Sequence, residues 1–234
     1  FQPILNIGSG EIVGAEALMR WRSPSRGLVS PENFIAAAEE TGLIVQLGDW
    51  ALRKACSVAA HWPPGMRMAV NVSAAQIKSG GFARSVISAL AFSGLPANRL
   101  ELEITETVMM DESDAVLRTL SQLRGLGVRI ALDDFGTGYS SLSYLTRFPF
   151  DTIKIDKSFV DDATPKRAVL LKSMVNMAHE LGLSVVAEGI SDESDALELR
   201  QMGCEYVQSF MFGAPMPGDQ VLKTLREQYP LTQA

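Results

Sequence analysis

The feature that most constrains the fold of this 234-residue chain is a regular alternation between short apolar segments and longer amphipathic segments. Short apolar runs bounded by turn residues are typical of β-strands, and apolar residues spaced three and four apart are typical of α-helices. Strands that alternate with helices indicate a parallel sheet. Because about seven or eight such units follow one another, we expect a closed, TIM-like (β/α)8 barrel of the α/β class, forming a single domain over residues 1–234.

The first strands are expected to depart from this parallel pattern. Two strand pieces, residues 2–7 and 11–14, flank a turn at Gly8-Ser9-Gly10 with no helix between them. Further strands are expected at residues 15–21, 67–72, 99–104, 128–133, 151–156, 184–188 and 205–208. Helices are expected at residues 31–42 and 43–61, within 73–94, and at 112–124, 141–147, 165–181, 192–202 and 218–227.

Composition and charge exclude several classes of function. The formal net charge is −6 and there is no basic run, so binding of a nucleic-acid polymer through a general positive field is not expected. No stretch approaches the roughly 18 uninterrupted apolar residues typical of a membrane span. Cys56 and Cys204 lie far apart without metal-ligand spacing, which predicts buried thiols in a reducing, cytoplasmic compartment. The lack of a Gly-x-Gly-x-x-Gly motif after the first strand argues against a Rossmann-type dinucleotide-binding fold.

The informative polar residues are those near the C-terminal ends of the predicted strands. In a β/α barrel these ends meet at one mouth, where active sites lie. Glu101 and Glu103 share one face of their strand, because side chains alternate with a period of two. Seven strands carry such polar groups: Glu16, Asn71, Glu101 with Glu103, Asp133 with Asp134, Lys154 with Asp156, Glu188, and Gln208.

These residue types favour a particular chemistry. A salt bridge or a strand-end cap is the more ordinary role for any single acid, but five or more converging acids need cations, since an unpaired buried carboxylate is costly. Carboxylate and amide oxygens without His or Cys favour Mg²⁺ or Mn²⁺ over Ca²⁺. Adjacent Asp133 and Asp134 would let one carboxylate bridge two ions, and two ions form the standard clamp for in-line displacement at phosphorus. Lys154 offers a positive charge to a phosphoryl oxygen or to an attacking water.

Seven motifs occur in order over nearly the whole chain, and together they are highly specific. They are Glu16-Ala17-Leu18-Met19-Arg20, Asn71-Val72-Ser73, Glu103-Ile104-Thr105-Glu106, Asp133-Asp134-Phe135-Gly136-Thr137-Gly138, Lys154-Ile155-Asp156, Ala187-Glu188-Gly189 and Gln208. The chain thereby resembles the EAL domain family. The resemblance implies a TIM-like barrel with one antiparallel strand. It also implies hydrolysis of one phosphodiester bond of cyclic di-GMP to linear pGpG by a water-mediated in-line attack, with two Mg²⁺ or Mn²⁺ ions per active site.

The resemblance also implies a role for each matching residue. The metal ligands would be Glu16, Asn71, Glu103 and Asp133 for one ion, and Asp133 with Asp134 for the second. The catalytic group would comprise Glu16 with Lys154 and Glu188, of which the last two position or deprotonate the attacking water. The substrate contacts would be Gln2, Leu18, Arg20 and Gln208, with Arg20 on a phosphate. Glu106 would anchor the loop of residues 134–141, which couples the site to homodimer formation.

Some alternatives stay open. The chain departs from the family pattern at Ser209, at Ile190-Ser191 and at Ala214, and none of these is an expected metal ligand. A receptor that binds cyclic di-GMP without hydrolysing it is one alternative. An enolase-type barrel with Lys154 as a general base is another. We expect the chain to be excised from a longer multidomain signalling protein with upstream sensory or regulatory domains, and the full-length protein remains free to carry a membrane anchor.

Overall fold

The computed structural model describes residues 1–110, 114–137, 143–160 and 165–228. Its strands are β1 (Gln2–Asn6), β2 (Ile12–Ala17), β3 (Trp21–Ser23), β4 (Gly27–Val29), β5 (Arg67–Asn71), β6 (Leu100–Thr105), β7 (Arg129–Phe135), β8 (Thr152–Ile155), β9 (Ser184–Glu188) and β10 (Tyr206–Gln208). Its helices are α1 (Pro31–Glu40), α2 (Ile44–Ala59), α3 (Ala74–Lys78), α4 (Phe82–Ser93), α5 (Glu106–Met110), α6 (Asp114–Gly125), α7 (Ser143–Arg147), α8 (Lys157–Val160), α9 (Pro165–Glu180), α10 (Glu193–Met202) and α11 (Gly218–Gln228), and a 3-10 turn covers Ala97–Arg99.

Eight of these strands close into a barrel in the order β1-β10-β9-β8-β7-β6-β5-β2. β1 runs antiparallel to both of its neighbours, and the other neighbouring pairs are parallel. The reversal arises because β1 and β2 form a hairpin, whose turn is held by Asn6 Oδ1 accepting from the backbone of Gly8 and Ser9. The predicted barrel and its antiparallel N-terminal strand are therefore confirmed.

The N-terminal strands differ in detail from the sequence prediction. β2 is continuous from Ile12 to Ala17, whereas the sequence predicts two strands that meet after Gly14. A Cβ at Gly14 would lie 2.8 Å from the carbonyl oxygen of Arg67, so this glycine permits close approach of β2 to β5 and does not end the strand. The predicted strand 15–21 is wrong beyond Ala17, because Trp21–Ser23 pairs with β4 outside the barrel.

The helices agree with the predicted positions within a few residues, with two additions. The one-turn helices α5 and α8, which directly follow β6 and nearly follow β8, are not predicted by the sequence pattern. They are too short to show a helical period. The predicted helix starts at residues 112 and 141 lie outside the described residues.

The outer faces of the strands form the main apolar core. Leu100, Leu102 and Ile104 of β6 belong to one buried cluster with Leu120 and Leu123 of α6. Alternate residues of the strand point to opposite sides, so the residues between these three face the barrel lumen. The core thus fixes which polar residues enter the lumen.

Side chains that face the lumen lie in layers, as in other barrels. Ile4, Ala69 and Val186 form one apolar layer. Asn71 and Glu188 lie two residues further along β5 and β9, toward the C-terminal ends of these strands. The apolar layer therefore separates a polar mouth at the C-terminal ends of the strands from the opposite end of the lumen.

Both cysteines are buried free thiols, as predicted. Burial raises the pKa of Cys56 and of Cys204 to about 12, so neither is a thiolate at neutral pH and neither suits nucleophilic or metal-binding chemistry. Among the described residues, no helix combines the length and the apolar character needed to cross a bilayer.

The close packing at Gly14 generates a stability prediction. Gly14→Ala is expected to lower the free energy of unfolding by about 1–3 kcal/mol, because its Cβ would press on the backbone of β5. Gly125→Ala is the matched control: its Cβ meets nothing within 4 Å, and it lies at the end of α6. Urea unfolding followed by circular dichroism measures both. Equal stability of the two variants would contradict the proposed strand contact.

Candidate active site

The mouth of the barrel is organised around the ammonium group of Lys154, which is 1% exposed. Four carboxylates from four different strands approach its Nζ atom. The distances are 3.5 Å from Glu16 Oε2, 3.0 Å from Glu103 Oε1, 3.3 Å from Asp133 Oδ1 and 2.8 Å from Glu188 Oε1. The structure thus brings together residues of β2, β6, β7, β8 and β9 that the sequence predicted at one mouth.

Two amides fix the orientation of Glu16. Asn71 Nδ2 donates to Glu16 Oε1, and Gln208 Nε2 donates to Glu16 Oε2 at 2.6 Å. Burial by itself would raise the pKa of Glu16, but the Lys154 charge and these hydrogen bonds outweigh it, so the pKa lies below its usual value. Glu16 is therefore held as a carboxylate. Gln2, which pairs with Glu16 across β1 and β2, is buried beside it.

Glu103 is the most deeply buried acid of the cluster. Burial, followed by the negative charge of Glu16, raises its pKa well above the ordinary value. Its Oε1 atom is ion-paired with Lys154, but neither of its oxygens meets the geometry of a hydrogen bond with any described residue. Such an oxygen pair favours a further cation or a proton.

Lys154 and Glu188 have complementary protonation behaviour. Burial would lower the pKa of Lys154, but the surrounding carboxylates, led by Asp133 and Glu103, raise it well above its usual value. Burial raises the pKa of Glu188 to about 7, although the Lys154 charge opposes this. Lys154 is therefore charged among these carboxylates, and Glu188 is the group suited to accept a proton near neutral pH.

Asp133 and Asp134 are arranged by an irregularity in β7. The register between β7 and β8 shifts between Leu132 and Phe135, and Asp134 has a φ of +54°, the one positive φ of a non-glycine residue within the described chain. Asp133 points to Lys154 and is buried, whereas Asp134 is exposed. Neighbouring residues at the mouth still desolvate part of the Asp134 carboxyl group, and this effect, followed by the charge of Asp133, raises the pKa of Asp134. The two carboxylates therefore influence one another at the same mouth.

Glu106 makes the contacts that a loop anchor would need. Its Oε1 atom accepts from the backbone N–H of Gly136 and from Tyr144 Oη, both at 3.0 Å. These partners lie on the two described sides of the 134–141 loop, whose residues 138–141 lie outside the described part of the chain. The involvement of Tyr144 is missed by the sequence analysis, because no spacing or residue pattern indicates it.

Several predicted residues lie away from the Lys154 cluster. Arg20 is exposed, and its Nη1 donates to Met19 O at 2.9 Å, while Leu18 is half-buried. Asp156 caps the turn at Ser158, whose backbone N–H lies 2.9 Å from its Oδ1. Glu101 faces the lumen as predicted, but it lies at the opposite end of the barrel, where Arg129 Nε is 3.0 Å from its Oε2.

Two of the noted departures from the family pattern contact each other. Ser209 is buried, and its hydroxyl donates to Ile190 O at 2.5 Å and accepts from Met211 N at 3.1 Å. The backbone of Gly189 also donates to Gln208 O at 3.0 Å. The segments that follow β9 and β10 are therefore tied together directly beside Glu188 and Gln208.

The residues present fit a hard divalent cation, although they do not form a ready cage. Among the described residues, no three His, Cys, Asp or Glu side chains are grouped in metal-binding geometry. The Lys154 ammonium lies where the carboxylates converge. Three buried oxygens have no hydrogen-bond partner among the described residues: both carboxylate oxygens of Glu103 and Oε1 of Gln208. Carboxylate and amide oxygens without sulfur or imidazole match the preference of Mg²⁺ or Mn²⁺.

Fold and site together define a (β/α)8-type barrel whose acidic mouth surrounds a buried lysine. The profile of the EAL domain family matches residues 1–215. The chain therefore belongs to the EAL domain family, as its motifs predicted.

Relatives with assigned names are similar over nearly all of this chain. The bifunctional diguanylate cyclase/cyclic di-GMP phosphodiesterase MucR of Pseudomonas aeruginosa is 41% identical over 231 residues, which are 96% of this chain and 34% of MucR. The cyclic di-GMP phosphodiesterase NbdA of the same organism is 43% identical over 225 residues, which are 93% of this chain and 28% of NbdA. The chain thus spans only about a third of the length of these relatives.

Solved structures show the same architecture. A complex of the PaMucR phosphodiesterase with c-di-GMP has a TM-score of 0.90 and 41% identity, covering 94% of this chain and 92% of that one. The EAL enzyme Bd1971, solved with cAMP and cyclic di-GMP, has a TM-score of 0.92 and 33% identity, covering 96% of this chain and 63% of that one.

The backbone of Asp134 generates a second prediction. Asp134→Gly is expected to be more stable than Asp134→Ala by about 1 kcal/mol, because only glycine adopts a φ of +54° without steric cost. Both variants remove the same carboxylate, so their difference in urea unfolding isolates backbone strain from charge repulsion. If the two variants unfold at the same urea concentration, the backbone at Asp134 stores no strain.

A third prediction concerns Ser209. Ser209→Ala is expected to lower the free energy of unfolding by about 1–3 kcal/mol, since it leaves the buried carbonyl of Ile190 and the partly buried N–H of Met211 without their partner. Ser173→Ala, which removes an exposed hydroxyl on α9, is the control and is expected to change stability by about 0.5 kcal/mol or less. Thermal unfolding compares the two. A Ser209 variant as stable as the control would mean that the tie between β9 and β10 carries no energy.

Proposed function

We propose that this barrel hydrolyses one phosphodiester bond of cyclic di-GMP and releases linear pGpG. The observation that carries the proposal is the convergence of Glu16, Glu103, Asp133 and Glu188 on Lys154 in a member of the EAL domain family. The names of MucR and NbdA, and the c-di-GMP complex of the similar PaMucR structure, support this choice of substrate.

In this proposal the acidic and amide residues hold two divalent cations, Mg²⁺ or Mn²⁺. Glu16, Asn71, Glu103 and Asp133 would bind the first ion, and Asp133 with Asp134 would bind the second. When bound, such ions neutralise the charge that develops on the phosphoryl oxygens during in-line displacement. Gln208 and Asn71 hold Glu16 ionised and oriented for this role.

The protein groups that act on the attacking water would be Lys154 and Glu188. Lys154 Nζ lies 2.8 Å from Glu188 Oε1, so one water can contact both groups at the same time. As the water oxygen bonds to phosphorus, its proton passes to Glu188 and the bond from phosphorus to the bridging 3′ oxygen breaks. The released 3′ oxygen takes up a proton, and the 5′-phosphate stays on the linear product.

The substrate would extend from the mouth over the rim. Gln2, Leu18 and Arg20 are proposed to contact it, with the Arg20 guanidinium on a phosphate. Arg20 also lines an adjacent cavity of about 630 Å³ that includes Trp21 and Phe34. Trp21 is 45% exposed and packs edge-to-face on Phe34, which leaves apolar surface on which a guanine base can stack.

The assembly and context of the domain are part of the proposal. We propose a homodimer formed near the 134–141 loop. Glu106 would couple the position of this loop to β7 through its hydrogen bond with the backbone of Gly136. Sensory or regulatory domains in a longer protein would then control the dimer. Hydrolysis measured at several protein concentrations tests this, because a dimer-dependent site loses specific activity on dilution.

The deciding experiment is hydrolysis of cyclic di-GMP in Mg²⁺ or Mn²⁺, followed by chromatography. Glu188→Gln is expected to lower kcat by about 10²–10⁴-fold while binding of the substrate persists, because the amide cannot accept the proton. Glu180→Gln, an exposed acid on α9, is the matched control with unchanged kcat. If calorimetry shows tight binding of cyclic di-GMP but no product forms with either metal, the domain is a cyclic di-GMP receptor and the proposed hydrolysis is wrong.

A further inference from the structure

The end of the barrel opposite the mouth carries a second concave surface that the proposed hydrolysis does not use. It encloses about 790 Å³, and its charged lining residues are Arg67, Arg99, Arg124, Arg129 and Asp151. Prolines and glycines form much of the remaining wall. A volume of this size suits a small-molecule ligand.

The arginines reach this surface because of where they lie in the chain. Arg67 is the first residue of β5, Arg129 is the first residue of β7, and Arg99 directly precedes β6. The N-terminal ends of adjacent parallel strands meet at one end of a barrel, so these three side chains converge. Arg124 joins them from the last turn of α6.

The charges of the cavity do not cancel within the protein. Glu101 pairs with Arg129 at 3.0 Å and lies 3.9 Å from Arg67, and Asp151 pairs with Arg124 at 3.3 Å. Four guanidinium groups therefore face two carboxylates. The local excess is positive although the chain carries a net charge of −6.

Each guanidinium group is held in place but keeps donors that the described residues do not use. Arg99 Nε donates to Met66 O at 2.7 Å, and Arg99 Nη2 donates to Ala59 O at 2.9 Å. Arg124 and Arg129 likewise donate only through Nε and Nη2. Arg67 donates no hydrogen bond to any described residue and stacks 4.8 Å from the centre of the Tyr206 ring. Side chains fixed in this way lose little entropy on binding a ligand.

We propose that this cavity binds a small phosphate-bearing anion with at least two negative charges. Guanidinium groups bind phosphate oxygens through paired, charge-assisted hydrogen bonds. The Nη1 groups of Arg99, Arg124 and Arg129 make no hydrogen bond to a described residue, and they supply the donors together with Arg67, whose Nη1 lies 3.9 Å from Glu101 Oε2. The site is separate from the mouth, because the apolar layer of Ile4, Ala69 and Val186 fills the lumen between them.

The test uses pyrophosphate as the probe, titrated into isotope-labelled protein in metal-free buffer and followed by amide chemical shifts. Saturable shifts are expected at Gly65 and Gly127 in the cavity wall. The double variant Arg67→Gln/Arg124→Gln should weaken the affinity about tenfold or more, since it removes two charge-assisted contacts. Arg118→Gln, an exposed arginine on the same helix α6, is the matched control and should bind as the unmodified chain does.

Further arms locate the site and guard against misfolding. Arg20→Gln at the mouth should leave pyrophosphate binding unchanged, and rising salt should weaken it. The single variant Arg124→Gln, whose side chain is 49% exposed, makes the same test if the double variant does not fold. Shifts confined to the mouth, equal affinity in the Arg124 and Arg118 variants, or the lack of saturable binding would each overturn the proposal.

Discussion

The mouth of the barrel depends on one interaction, the contact of the Lys154 ammonium with four carboxylates. At about 3 Å and an effective dielectric constant of about 20, each such pair contributes about 5 kcal/mol before desolvation, and desolvation costs several kcal/mol per ion. One ammonium group does not neutralise four carboxylates, so the cluster keeps excess negative charge when all four are ionised. Burial, followed by repulsion from neighbouring carboxylates, raises the pKa of Glu103 and of Glu188. Divalent cations would relieve this excess charge, which is the physical reason for placing them at this mouth.

Apolar packing stabilises the outer faces of the strands, and polar contacts stabilise the side chains in the lumen. Aliphatic residues on the outer strand faces pack against helices, and they force the alternate residues into the lumen, where water is scarce. Polar groups there need partners. Glu16 has two amide donors and Lys154 as partners, and Asp133 has Lys154 as a partner directly before the positive φ of Asp134. A non-glycine residue keeps such a conformation where its surroundings hold it, and Asp134 lies at the acidic mouth.

Much of this site could be predicted from the sequence, because strand period and strand ends are local properties. Glu16, Asn71 and Lys154 follow from the rule that parallel strands end at a common mouth. The choice between Glu101 and Glu103 does not follow, since both satisfy the same alternation and only the closed barrel decides which layer each enters. The positive φ of Asp134 and the exclusion of β3 from the barrel depend on register with neighbouring strands. No single segment encodes that register.

Strand β7 carries opposite charges at its two ends. Arg129 begins β7 and Asp133 lies four residues later, a separation of roughly 13 Å along the strand. At that distance the attraction between two unit charges is about 1 kcal/mol at the same effective dielectric constant, a fifth of the Lys154 contacts. The arginines at the base therefore cannot supply the charge that the acids at the mouth lack. Because the apolar layer keeps the two ends apart, each end would be neutralised by its own ligand, the mouth by the proposed cations and the base by the proposed anion.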